Sequence, residues 1–125
     1  MYLVALLRNK EGEVFVLYDN GKSDDTLRTT IIKEESLLCS LGGYKLDQCM
    51  ITTDNVIAMK TRLKFRIEEL KSLKDDVDYL GYRESLMTQI GLLTGRLIRR
   101  GVEVTNEIAL QCYDYRQSTL REVAV

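Results

Sequence analysis

Near residue 67 the apolar side chains stop alternating with polar ones and begin to recur at every third or fourth position. Alternation is the period of a strand with one face buried, and a spacing of three and four is the period of a helix with one apolar stripe. The pattern predicts an α+β chain: a small N-terminal antiparallel sheet of about five to six strands with a short helix, then an antiparallel hairpin of two long helices. At 125 residues the chain fits a single domain, mainly β over residues 1–67 and mainly helical over 68–125.

Composition excludes function classes. There is no histidine, so the usual general base and commonest metal ligand are both missing. Cys39, Cys49 and Cys112 are odd in number and never approach C-x-x-C spacing, which favours neither a disulfide framework nor zinc. The longest apolar run, Leu3 to Leu7, is too short to span a bilayer or to serve as a signal core, so a cytoplasmic protein without membrane contact is expected.

The first strands are predicted at Tyr2–Leu7 and Val14–Tyr18, joined across Asn9-Lys-Glu-Gly. Thr26–Ile32, rich in β-branched residues, reads as a further strand, and Lys33 to Gly43 as a short helix stopped by glycine. Tyr44–Thr52 and the stretch from Val56 read as a strand pair turning at Thr53-Asp54-Asn55. From Ile57 onward Met59, Leu63, Phe65 and Ile67 share its parity, while Lys60, Arg62, Lys64 and Arg66 fall on the other. Strand through about Ile67 is therefore expected, with a ladder of four cations on its outer face. Leu63, Ile67, Leu70 and Leu73 also fit a helix.

Beyond Asp75-Asp76 the apolar positions Leu80, Met87, Ile90, Leu93 and Leu97 mark a helix of about 20 residues ending at Gly101. Thr105 is expected to cap the next, which runs to about Val123. Gly91 and Gly95, on one face of the first, point to a backbone that approaches closely, either the partner helix or a second subunit, and a homo-oligomer through the hairpin is expected.

The formal net charge of −1 hides local blocks: residues 56–67 hold 4 basic and no acidic side chains, and residues 83–101 hold 4 basic against 1 acidic. Such a surface suits a compact anion better than nucleic acid, whose affinity grows with the number of phosphates neutralised. Two surfaces are candidates. One is the ladder Lys60, Arg62, Lys64 and Arg66, for which edge protection is the alternative. The other is Arg96, Arg99 and Arg100 with Tyr113, Tyr115, Arg116 and Arg121, where rings beside guanidiniums suit a nucleotide.

No catalytic residue, cofactor or metal is expected. The paired acids Asp24-Asp25, Glu34-Glu35, Glu68-Glu69 and Asp75-Asp76 read as caps and solvated first turns. The expected function is non-enzymatic: sequestration of a small phosphorylated ligand such as a signalling nucleotide. The alternative is a regulatory protein–protein module acting through the helical hairpin.

Two resemblances bear on this. The segment Ile98-Arg-Arg-Gly-Val-Glu-Val-Thr-Asn-Glu107 is similar in outline to the hairpins of small sporulation phosphatases. Those carry Ser-Gln-Glu-Leu-Asp where this chain has Cys112-Tyr-Asp-Tyr-Arg116, so their aspartate is missing and the activity does not carry over. A small sheet followed by two long helices also looks like the layout of phage anti-defence proteins that sequester signalling nucleotides, a likeness that names no residue.

Overall fold

The computed structural model describes residues 1–74 and 79–124, the last four of these by backbone alone. Contacts divide the chain into two compact units, Met1–Ser72 and Leu73–Val125.

The first unit is built on β1 (Tyr2–Arg8), whose continuous apolar run suits a strand buried on both faces. A turn over Asn9–Glu13 leads to β2 (Val14–Asn20), antiparallel to β1 from Tyr2↔Asn20 to Arg8↔Val14. The turn is closed from within. The Asn9 side chain accepts from the N–H groups of Glu11 and Glu13 at 3.1 and 2.9 Å, and Gly12 takes a left-handed φ of 81°.

Next comes α1 (Asp24–Gly42), where a strand and a short helix are expected from the sequence. Ser23 starts it by accepting from the Thr26 N–H at 3.2 Å, with Asp24 and Asp25 in the first turn. Gly43 ends it at φ 72°, its N–H donating to the Cys39 carbonyl. The β-branched residues Thr26–Ile32 are thus helical: burial of Leu27 against Leu3, Ala5 and Leu7 overrides local propensity.

β3 (Lys45–Thr52) pairs antiparallel with the free side of β1, giving the order β2-β1-β3, with a register shift at Leu6/Leu7. α2 (Asn55–Ser72) follows, where the ladder strand is expected. It is capped by Asp54, which accepts from the N–H groups of Val56 and Ile57 at 2.8 and 3.1 Å. The alternation through Ile67 is therefore a property of a helix. Ala58 and Phe65 pack on Val4, Leu6, Val14 and Val16 across the face of the sheet opposite α1. Met59, Leu63 and Ile67 are buried as well, at the four-residue spacing of a helix. Arg8 ties the layers together, 3.3 Å from Asp47 of β3 and 4.0 Å from Glu68 of α2.

The second unit holds α3 (Leu80–Arg99) and α4 (Glu107–Ala124), packed on one another. Gly101, at φ 76°, turns the chain after α3. Asn106, in place of the expected Thr105, caps α4 by accepting from the Ala109 N–H at 3.1 Å. The fold class is therefore corrected. It is α+β with three strands and four helices, where five to six strands, one short helix and a two-helix hairpin are expected from the sequence. No helix among the described residues is long and apolar enough to cross a membrane. The expected acid pair Asp75-Asp76 lies outside the described residues.

Candidate functional site

In a helix, residues two apart lie about 160° round from one another, so the four cations of 60–66 cannot form a row. Lys60 and Lys64 share an exposed side of α2. Arg62 and Arg66 share the opposite, packed side. The Arg62 guanidinium carbon lies 4.1 Å from the centre of the Tyr18 ring, a cation–π contact with β2. Arg66 Nη1 donates to Glu69 Oε1 at 2.7 Å, and the Glu69 side chain is 2% exposed. Both arginines thus have structural partners. The strand on which the ladder rests is absent.

The cations of the hairpin are arranged differently. Gly95 of α3 lies under α4: a Cβ built on it would meet Tyr113 Cε2 at 3.1 Å and Arg99 Nη1 at 3.8 Å. The phenol ring and the guanidinium therefore converge on one point above the glycine. One turn earlier, a Cβ on Gly91 would meet the Cys112 carbonyl oxygen at 2.6 Å and Arg116 Cβ at 3.1 Å. Of the hairpin candidates, Arg99, Tyr113 and Arg116 are brought together along this seam. Tyr113 and Arg116 are half-buried there, whereas Arg99, like Arg96, Arg100 and Tyr115, is exposed. The Arg121 side chain lies outside the described residues. The close approach at Gly91 and Gly95 is made by the partner helix of the same chain, so these glycines are no evidence for a second subunit.

Chemically, the seam offers an aromatic face and forked N–H donors at the C-terminal end of α3. The helix dipole there is negative, so part of the arginine charge is already complemented by the helix itself. Among the described residues no three side chains of Cys, Asp or Glu come together as metal ligands.

Two further features of the first unit carry no signal in composition or charge runs. Leu37 and Leu41, four residues apart on one flank of α1, are 53% and 74% exposed. On the other flank Asp24, Arg28 and Ile32 run beside β3, lining shallow hollows with Leu46, Cys49 and Ile51. Burial there pushes the Cys49 thiol up from its ordinary value, with Asp24 adding to this and Arg28 opposing it. The leucine spacing was visible in the sequence inside the expected short helix from Lys33 to Gly43, but not which face of it the sheet leaves uncovered. Comparison of the chain with protein-family models, curated proteins and solved structures finds no match.

Proposed function

We propose that the chain is a non-enzymatic binding protein that docks on another protein through the outer flank of α1. The exposure of Leu37 and Leu41 carries this reading. A leucine side chain left in water forgoes about 2 kcal/mol of burial, and two on adjacent turns form one apolar strip. At the same end of α1, Phe15 is also exposed, its ring edge-on to Tyr44 with centroids 6.2 Å apart. The docking face thus moves from the hairpin, where the sequence suggests it, to the first unit. A cytoplasmic location and self-association belong to the same proposal.

The experiment is recovery of a stoichiometric protein partner by the wild-type chain, repeated with Leu37→Glu plus Leu41→Glu. Loss of the partner with unchanged circular dichroism supports docking on this flank. Equal recovery by the double variant overturns it.

A second reading, sequestration of a small phosphorylated ligand, is favoured by the convergence of Arg99 and Tyr113 over Gly95, with Arg116 one turn away. Titration calorimetry against cyclic di- and trinucleotides tests it. Heat that disappears in Arg99→Ala and in Arg116→Ala supports a site on the seam, and no heat with any of them removes this reading.

A further inference from the structure

The C-terminal end of α1 stands in solvent. Residues 39–43 are all exposed, and among the described residues nothing donates to the carbonyls of Ser40, Leu41 and Gly42. The cap takes only the carbonyls before them: the Gly43 N–H donates to the Cys39 carbonyl at 2.9 Å and the Tyr44 N–H to the Leu38 carbonyl at 3.4 Å. The last turn of α1 holds no basic residue, whereas Lys71 lies in the last turn of α2 and Arg96 and Arg99 in that of α3. Nothing in that turn complements the negative end of the helix dipole. Lys45, the next cation along the chain, lines the hollow on the β3 flank with Glu35, Ser36 and Cys39, on the other side of α1 from Leu37. Aromatic rings gather at the same end. A Cβ on Gly42 would meet the Tyr44 ring at 2.8 Å, and that ring is edge-on to Phe15. A ring face and a helix C-terminus attract a cation for independent reasons. One turn before Leu37, Lys33 and Glu34 offset one another, so the charge preference of the leucine strip is set at its C-terminal end.

We propose that the partner segment docking on α1 presents a lysine or arginine next to two apolar side chains. The apolar pair covers Leu37 and Leu41. The cation reaches the end of α1 and donates to the open carbonyls there, beside the rings of Phe15 and Tyr44. An ammonium or guanidinium offers only donors and the helix end only acceptors, so the two match. A carboxylate in the same place would face the negative helix end and the ring faces, and acidic segments are turned away. This inference rests on the docking reading above and names the chemistry of its partner.

Selection of a random phage-displayed peptide library on the immobilised full chain tests the proposal. Peptides whose binding is lost in the Leu37→Glu plus Leu41→Glu variant are expected to carry lysine or arginine beside an apolar pair. In synthetic copies of those peptides, replacing the cation by glutamine should weaken binding about tenfold. Ser40→Arg supplies a last-turn cation from within the chain and should weaken the same peptides about threefold, whereas Ser40→Gln should not. Strip-dependent peptides that carry no cation, or that bind equally well after its replacement, overturn the proposal and leave the docking reading standing. Indifference to Ser40→Arg does the same. A selection that yields no peptide sensitive to the leucine variant also overturns it, and recovery of a partner protein then decides the docking reading alone.

Discussion

A methyl group added at Gly91 would lie 2.6 Å from the Cys112 carbonyl oxygen, a backbone atom that cannot move aside without shifting α4. At Gly95 the nearest atom is 3.1 Å away on the Tyr113 ring, which can rotate. The two substitutions should therefore differ. Gly91→Ala is expected to cost about 1–3 kcal/mol by overpacking. Gly95→Ala should be close to neutral, because alanine's better helix propensity returns about 1 kcal/mol. Thermal melts of the two variants measure the difference, and neither should change the stoichiometry. Cys112, buried on the same seam, supplies a pH test. Burial pushes its thiol above the ordinary value of 9.0. Below that value the thiol is protonated in both states. Above it the unfolded chain loses the proton first, so stability falls as pH rises through the folded value. Cys112→Ala should show a shallower alkaline loss in denaturant titrations between neutral pH and about pH 10.

At the scale of elements, caps decided what periodicity left open. Ser23 and Asp54 each stand immediately before a helix whose residues look strand-like. Thr26–Ile32 is β-branched, and Ile57–Ile67 alternates. The signals were present as Ser-Asp-Asp and as Asp-Asn before an apolar run, but an aspartate at a turn reads equally well as the corner of a hairpin. Where one apolar stripe dominates, as from Leu80 to Leu97, the spacing coincides with α3. Asp54→Ala, which frees two N–H groups of α2, is expected to cost about 1 kcal/mol. The cations of α2 give a sharper test of the strand-to-helix correction. A solvated ladder predicts equal, small effects at all four positions. The helix predicts that Arg66→Ala destabilises by on the order of 3 kcal/mol, since it takes an ion-pair partner from buried Glu69. Lys60→Ala and Lys64→Ala should each stay within about 0.5 kcal/mol of the wild type. Urea titrations of the three single variants decide between these.

For the whole molecule, three strands suffice where the sequence suggests five or six, because both faces of β1 are covered by helices. Leu3, Ala5 and Leu7 meet α1, and Val4 and Leu6 lie on the side of α2. The continuous apolar run of β1 made its burial legible. The neighbours that bury it were not, since they come from stretches of mixed local preference. The hairpin candidates were legible as charge and aromatic content. That Arg99, Tyr113 and Arg116 share one seam depends on how α4 lies over Gly91 and Gly95. The same economy explains why α1 has apolar residues to spare: one helix over β1 and β3 uses Leu27, Ile31 and Leu38, and leaves Leu37 and Leu41 in solvent. If those two leucines served the fold, replacing them would destabilise it as core truncations do, by about 2–5 kcal/mol each. As a docking strip they contribute little to the isolated chain. Leu37→Glu and Leu41→Glu should each shift its stability by no more than about 0.5 kcal/mol, whereas Leu27→Ala, at the buried residue in the first turn of the same helix, should cost the full core penalty. Denaturant midpoints of the three variants, measured without any partner present, separate a surface kept for binding from one kept for folding.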